Sequence, residues 1–200
     1  MRRDKLSGLT SQVIRLPHLS HPPHMPRNLE LKARCPSLRW AARVARSLGA
    51  RRIAVELQSD TYFAHVVGGR LKLREINGAT SELIFYRRPD KRSARTSDYV
   101  KVRVAEPKTL RAMLRDAFGV SCVVRKQRAV FVYRKARIHL DRVRHLGSFI
   151  EFELPVGGQK GRAKALMRKL TDLFEIPPSS VIGTSYSDML FSRTRRKGKR

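Results

Sequence analysis

Segment after segment of this chain alternates an apolar residue with a polar one, and in several of them the polar positions are mostly arginine and lysine. A strand sends successive side chains to opposite faces of a sheet. Such a chain must therefore cover its apolar faces and give its charged faces either water or counter-charge. From Asn28 to Arg34, Leu29, Leu31 and Ala33 share one face while Asn28, Glu30, Lys32 and Arg34 share the other. The run Arg70-Leu-Lys-Leu-Arg74 repeats the pattern with every polar position basic. Val120 to Arg134 brings Lys126 and Arg128 into phase, Ala136 to Val143 brings Arg137, His139 and Asp141, and Leu146 to Pro155 brings Glu151 and Glu153. Further strand-like runs cover Arg52 to Val67, Ser81 to Arg87 and Tyr99 to Val104, with hairpin turns at Gly68-Gly69 and Asn77-Gly78 and a polar loop over residues 89–97.

Three one-sided helices interrupt these strands. Ser37 caps the first, in which Leu38, Ala41, Ala42, Ala45 and Leu48 recur at helical spacing before Gly49. Pro107 opens the second, which carries Leu110, Met113, Leu114, Ala117 and Phe118. The third presents Ala163, Leu166, Met167, Leu170, Leu173 and Phe174 and stops before Pro177-Pro178. Apolar helix stripes need an apolar sheet face to cover. The other sheet face then meets bulk water, as on an open sheet, or lines a closed barrel wide enough for solvent and ligand.

An open basic face would normally intersperse acids to limit repulsion. Here Arg70, Lys72 and Arg74 have no acid in phase, and the carboxylates Glu30, Asp141, Glu151 and Glu153 lie on other strands. That segregation suits a bound pair of opposite sign, a hard cation held by carboxylates and a phosphate held by arginine and lysine. On any single strand a solvated charged face is the plainer reading, and His139 alone reads as a strand residue satisfied by its neighbours.

With 44 Lys+Arg against 16 Asp+Glu the formal net charge is +28, which draws in polyanions without choosing among them. Two hundred residues, 41% of them hydrophobic, suffice for one domain with a real core. We place that domain at 27–191, between a basic, His- and Pro-rich arm at 1–26, expected to be disordered, and a basic tail at 192–200. Cys35 and Cys122 are far apart and in no paired motif, which fits a reducing compartment. No apolar run of membrane-spanning length and no secretory leader is present, so a cytoplasmic location without membrane attachment is expected.

Taken in order, Asn28-Leu-Glu30-Leu-Lys32-Ala-Arg34, Gln58-Ser-Asp-Thr-Tyr-Phe63, Arg70-Leu-Lys-Leu-Arg-Glu75, Glu82 to Pro89, Val124-Arg-Lys-Gln-Arg128, Ile138-His-Leu-Asp141, Phe149-Ile-Glu-Phe-Glu153 and Ile176 to Leu190 resemble the CYTH, or triphosphate tunnel metalloenzyme, family in its class IV adenylate cyclase-like branch. The resemblance implies an α+β fold, a closed or nearly closed eight-stranded antiparallel β-barrel with amphipathic helices packed outside. It implies Mg2+ or Mn2+ held by Glu30, Asp141, Glu151 and Glu153. It implies a triphosphate held by Lys32, Lys72, Arg74, Arg87, Lys126 and Arg128, the last two also acting in catalysis. Asn28 departs from the family's opening Glu-x-Glu-x-Lys by placing an amide where the first carboxylate stands, which bears on a second metal. The implied reaction is cyclisation of ATP to cyclic AMP and pyrophosphate, or hydrolysis of inorganic, thiamine or nucleoside triphosphate. A polyphosphate- or nucleic-acid-binding module without turnover is the rival from another class. Weak nonspecific nucleic-acid binding through the basic termini, and a monomer or homodimer, complete the expectations.

Overall fold

A computed structural model of the chain describes residues 25–197; all but the last two residues of the expected arm at 1–26, and residues 198–200, lie outside the described residues. The strands are β1 (Arg27–Arg34), β2 (Arg51–Phe63), β3 (Arg70–Ile76), β4 (Thr80–Arg87), β5 (Arg95–Arg103), β6 (Val120–Tyr133), β7 (Ala136–Val143) and β8 (Gly147–Pro155). The helices are α1 (Leu38–Ser47), α2 (Pro107–Phe118), α3 (Lys160–Leu173) and α4 (Tyr186–Lys197), with a 3-10 turn at Pro178–Ser180. All strand pairs are antiparallel and the sheet closes on itself in the order β1-β5-β4-β3-β2-β6-β7-β8. Closure turns the polar phase inward and decides between the open-sheet and barrel readings.

Local chemistry explains the connections. Asn77 (φ 53°) and Gly78 (φ 68°) supply the left-handed pair that a tight β3–β4 hairpin requires, and Asn77 Oδ1 also accepts from the Leu57 amide at 2.7 Å. Register shifts in the long β2–β6 pair, between Arg52 and Ala54 and between Tyr62 and Phe63, bend those strands around the barrel. Ser37 caps α1 by accepting from Trp40 N at 3.2 Å.

The main core lies between the outer faces of β1, β6, β7 and β8 and the helices α1 and α3. It joins Leu29, Leu31, Ile138, Leu140, Ile150, Phe152 and Leu154 from the strands to Ala41, Ala45, Met167, Leu170 and Phe174. Each large side chain buried there stabilises the fold by about 1.5–3 kcal/mol. Ala41 and Ala45 are fully buried, and their small size lets α1 lie close on β7 and β8.

Two expectations need correction. Residues 95–97 belong to β5 rather than to the loop, because Arg95 and Ser97 pair with Glu30 and Asn28 of β1. The boundary placed after Phe191 is not a structural break, since the fourth helix runs through it to Lys197. Ser185 and Asp188 start that helix by mutual capping: the Ser185 amide donates to Asp188 Oδ2 at 3.0 Å and the Asp188 amide to Ser185 Oγ at 3.1 Å. Among the described residues no helix is long and apolar enough to cross a membrane.

Candidate functional site in the barrel interior

Lys32 on β1, Lys72 and Arg74 on β3, Lys126 and Arg128 on β6, Asp141 on β7 and Glu151 on β8 all occupy the inward phase, and strand pairing sets them side by side. The cross-strand partners include Arg128 with Asp141, Lys32 with Glu151 and Glu30 with Glu153. The barrel therefore gathers residues from opposite ends of the sequence into one charged interior.

Asp60 of β2 is the hub of the basic half. It accepts from Arg74 Nε and Nη2 at 2.7 and 2.8 Å and from Lys72 Nζ at 2.9 Å, with Lys126 Nζ at 3.9 Å. Burial by itself would raise its pKa, yet Arg74 and Lys72 hold it well below the usual carboxylate range. Lys126 has the opposite fate. Burial, with Arg128 and Arg74 adding repulsion, brings it down to about 7 against the pull of Asp141 and Asp60.

Arg128 links the basic half to the acidic half. It donates to both oxygens of Asp141 at 2.7 and 2.6 Å and to Glu151 Oε2 at 2.8 Å. Asp141 also accepts from Tyr186 Oη at 2.9 Å. Its carboxylate is thus occupied by cationic and phenolic donors, and Glu151 shares the Arg128 guanidinium with it, while Glu30 and Glu153 form the more open part of the acidic group. Burial first, then Glu153 and Glu151, pushes Glu30 up to about 7. Burial would likewise raise Glu151, but Lys32, the neighbouring His139 imidazole and Arg128 keep it well below its ordinary value. Burial, reinforced by Arg88 and Arg95, lowers Lys32 to about 8 despite Glu151 at 3.7 Å. Carboxylates of this kind fit a hard divalent cation, and the Nδ1 atom of His139, buried beside Glu151 and Glu153 without a hydrogen-bond partner, adds a donor to the set.

Arg87, expected to grip phosphate, does not reach the interior. Strand parity places Arg87 on the outer face opposite Asp98, where it is exposed, with its guanidinium 5.5 Å from the Phe85 ring centroid. Arg88 follows Ile84 and Tyr86 in the inward phase; its side chain is 3% exposed and its Nη1 lies 3.7 Å from Glu30. Arg95 was missed because residues 89–97 read as a loop. Its Nη1 donates to the carbonyls of Lys91 and Ile182, leaving Nε and Nη2 buried without hydrogen-bond partners, as is Nε of Arg88. Buried guanidinium donors of this sort are costly unless an acceptor is present, so they point toward an anion.

Asp60 and Tyr186 were also missed. The alternation Gln58, Asp60, Tyr62 carried the first; Tyr186 lies beyond the last strand and had no strand pattern to mark it. Tyr186 plugs the interior from α4, its ring centroid 5.0 Å from that of Phe149 and 4.0 Å from Lys32 Nζ. The chain reaches this position because Val181 bridges Ala33 and the Ile182 amide donates to the Lys32 carbonyl at 2.8 Å. Arg70 Nη2 then fixes α4 through Asp188 at 2.9 Å. At the neighbouring rim, a cavity of about 630 Å³ is lined by Gly68, Gly69, Arg70, Tyr86, Arg87, Arg88, Thr96 and Asp98 among others, so Arg87, outside the barrel interior, still borders this opening.

The CYTH domain family model matches residues 26–180. No curated protein sequence matches the chain. Among solved structures, the PH1012 protein of Pyrococcus horikoshii OT3 is similar with a TM-score of 0.73 at 23% identity, covering 80% of this chain and 98% of that one. A provisionally assigned adenylate cyclase of Vibrio parahaemolyticus gives 0.64 at 20% identity, with 84% and 99% covered. A Hippeastrum protein, provisionally assigned as an adenylyl cyclase and described as having a dominant triphosphatase activity, gives 0.59 at 17% identity, with 85% and 96% covered. At these identities the likeness is one of fold.

Proposed function

The chain belongs to the CYTH domain family, and from that premise we propose that it is a divalent-metal-dependent enzyme that binds the triphosphate of a nucleotide inside the barrel and acts as a class IV adenylate cyclase-like lyase. The observation that carries the reading is the closed interior itself, where the buried Lys72, Lys126 and Arg128 and the largely buried Arg74 and Arg88 side chains share one space with the carboxylates Glu30, Glu151 and Glu153. Buried charges are retained only when paired, and here several arginine donors have no partner. A triphosphate supplies the missing acceptors.

Lys72, Arg74, Lys126 and Arg128 would hold and neutralise the phosphate oxygens, and Asp60 would keep Lys72 and Arg74 oriented. Phosphoryl transfer depends on alignment and on countering charge, and preformed cations in a water-poor interior do both. Glu30, Glu151 and Glu153 would hold Mg2+ or Mn2+, which when bound neutralises phosphate charge and orients the triphosphate. The rim cavity beside Tyr86 and Arg88 has the volume of a small-molecule site and favours a nucleotide over inorganic triphosphate.

Hydrolysis of the triphosphate is the second reading. It is favoured by the Hippeastrum neighbour, which is described as having a dominant triphosphatase activity. Incubating the protein with ATP, inorganic triphosphate and thiamine triphosphate, each with Mg2+ or Mn2+, separates the readings. Cyclic AMP and pyrophosphate mark the cyclase, and orthophosphate marks the triphosphatase. Glu30→Gln and Glu153→Gln are expected to abolish turnover with folding retained. Full, metal-independent processing by both variants would sink the tunnel reading, and binding without any product would favour a non-catalytic phosphate-binding module.

A further inference from the structure

His139 is 4% exposed, and its Nδ1 has no hydrogen-bond partner. It stands on β7 opposite Glu151 and faces two carboxylates, with Glu153 Oε1 at 3.5 Å and Glu151 Oε2 at 3.8 Å. Both distances exceed the roughly 2.7–3.2 Å of a good hydrogen bond. As a donor, then, Nδ1 is poorly placed. As a lone pair it points at negative charge, an arrangement that gains nothing unless a cation lies between. One ligand atom from each of His139, Glu151 and Glu153 lies within 4.8 Å of the others. An ion with metal–ligand distances near 2.1 Å holds adjacent donors about 3 Å apart and opposed donors about 4.2 Å apart. Modest side-chain rotation therefore brings all three onto one ion.

Building on the reading that the acidic half of the interior holds a divalent cation, we propose that Nδ1 of His139 is a ligand to that cation, together with Glu151 and Glu153, and that this nitrogen makes the site prefer a first-row transition ion such as Mn2+ over Mg2+. Mg2+ is a hard ion that takes oxygen ligands and keeps several waters, whereas imidazole is a good ligand for transition ions. The neighbouring groups orient the ligands. Glu151 Oε2, the oxygen facing His139, also accepts from Arg128 at 2.8 Å, and Lys32 lies 3.7 Å from Oε1, so these cations fix the carboxylate while Glu153 Oε1 stands 3.5 Å from Nδ1. Metal binding by Nδ1 requires the neutral imidazole with its proton on Nε2.

The experiment uses the full chain with Mn2+ alone, read by pulsed electron paramagnetic resonance for nitrogen coupling and by calorimetry for affinity, alongside Mg2+ calorimetry. The wild type is expected to show imidazole nitrogen coupling to bound Mn2+. His139→Gln is expected to lose that coupling and bind Mn2+ about tenfold more weakly or worse, with Mg2+ affinity changed less than about threefold. Mn2+ bound without nitrogen coupling in the wild type overturns the proposal even if His139→Gln fails to fold, and so does coupling that persists in a folded His139→Gln. In the first case, loss of Mn2+ binding on Glu30→Gln would leave the carboxylate site standing. Absence of any Mn2+ binding to the wild type would overturn the site and the ligand together.

Discussion

At the scale of single residues, Asp60 shows how a carboxylate can serve a basic site without binding metal. It is fully buried under Lys72, Arg74 and Lys126, so Asp60→Asn leaves three cations without their shared counter-charge. Breaking one side of a buried pair costs about 3–5 kcal/mol, and denaturant unfolding near pH 7 is expected to show a loss of that size. Because the folded pKa of Asp60 is depressed, its contribution is present above its unfolded value of about 3.9 and disappears as pH falls toward the folded one. The stability gap between wild type and Asp60→Asn should therefore narrow below about pH 4; a gap constant down to pH 2 would refute the account. Strand parity makes a second residue-scale prediction. Arg88→Ala should raise the KM for inorganic triphosphate by about tenfold or more, as expected for loss of a charge-assisted contact, whereas Arg87→Ala, whose side chain borders only the rim cavity, should change it less than about twofold. The reverse ranking would show that Arg87 turns inward on binding.

Among the elements, α4 is the one whose loss would change the character of the barrel. It inserts Tyr186 among Phe149, Lys32 and Asp141, and Arg70 ties its first turn through Asp188. Tyr186→Phe removes one hydrogen bond to a charged acceptor and is expected to cost about 1.5–3 kcal/mol. Tyr186→Ala also leaves a cavity and is expected to cost about 3–5 kcal/mol. Urea unfolding of the two variants tests this order, and equal stability of all three proteins would mean that α4 does not seat in the barrel in solution. The β2–β3 connection passes a similar constraint to Gly69, where an added Cβ would lie 2.5 Å from the Phe85 ring and 2.8 Å from the Tyr86 carbonyl.

For the molecule as a whole, the net charge of +28 has two separate addresses. Lys32, Lys72, Lys126 and Arg128 are buried and Arg74 is largely so, while Arg39, Arg43 and Arg46 on α1 and Arg51, Arg52, Arg134 and Lys135 are exposed. Salt screens exposed charges far more than buried ones. Binding of single-stranded RNA, followed by fluorescence anisotropy, should weaken by orders of magnitude between about 50 and 200 mM salt. Calorimetric binding of inorganic triphosphate should fall much less over the same range. Parallel losses would place triphosphate on the surface rather than in the barrel.

Period-two alternation already assigned Glu30, Lys32, Lys72, Arg74, Lys126, Arg128, Asp141, Glu151 and Glu153 to polar strand faces, because side-chain direction in a strand is a local property. The one-sided patterns of the first three helices were local in the same sense, and so was the Asn77-Gly78 turn. What local pattern could not decide was closure. Only the pairing of β1 with both β5 and β8 turns those faces into an interior. Alternation puts Arg87 and Arg88 on opposite faces, and the same closure decides that the face of Arg88 is the interior one. It brings Arg95 against Glu30 through a segment whose composition reads as loop. It also places Asp60 among three cations and Tyr186 against Asp141, contacts made by residues 12 to 66 and 45 positions apart respectively. Burial, the opposed pKa displacements of Glu30 and Lys126, and the unpartnered nitrogen of His139 all follow from that non-local packing, which no window of sequence contains.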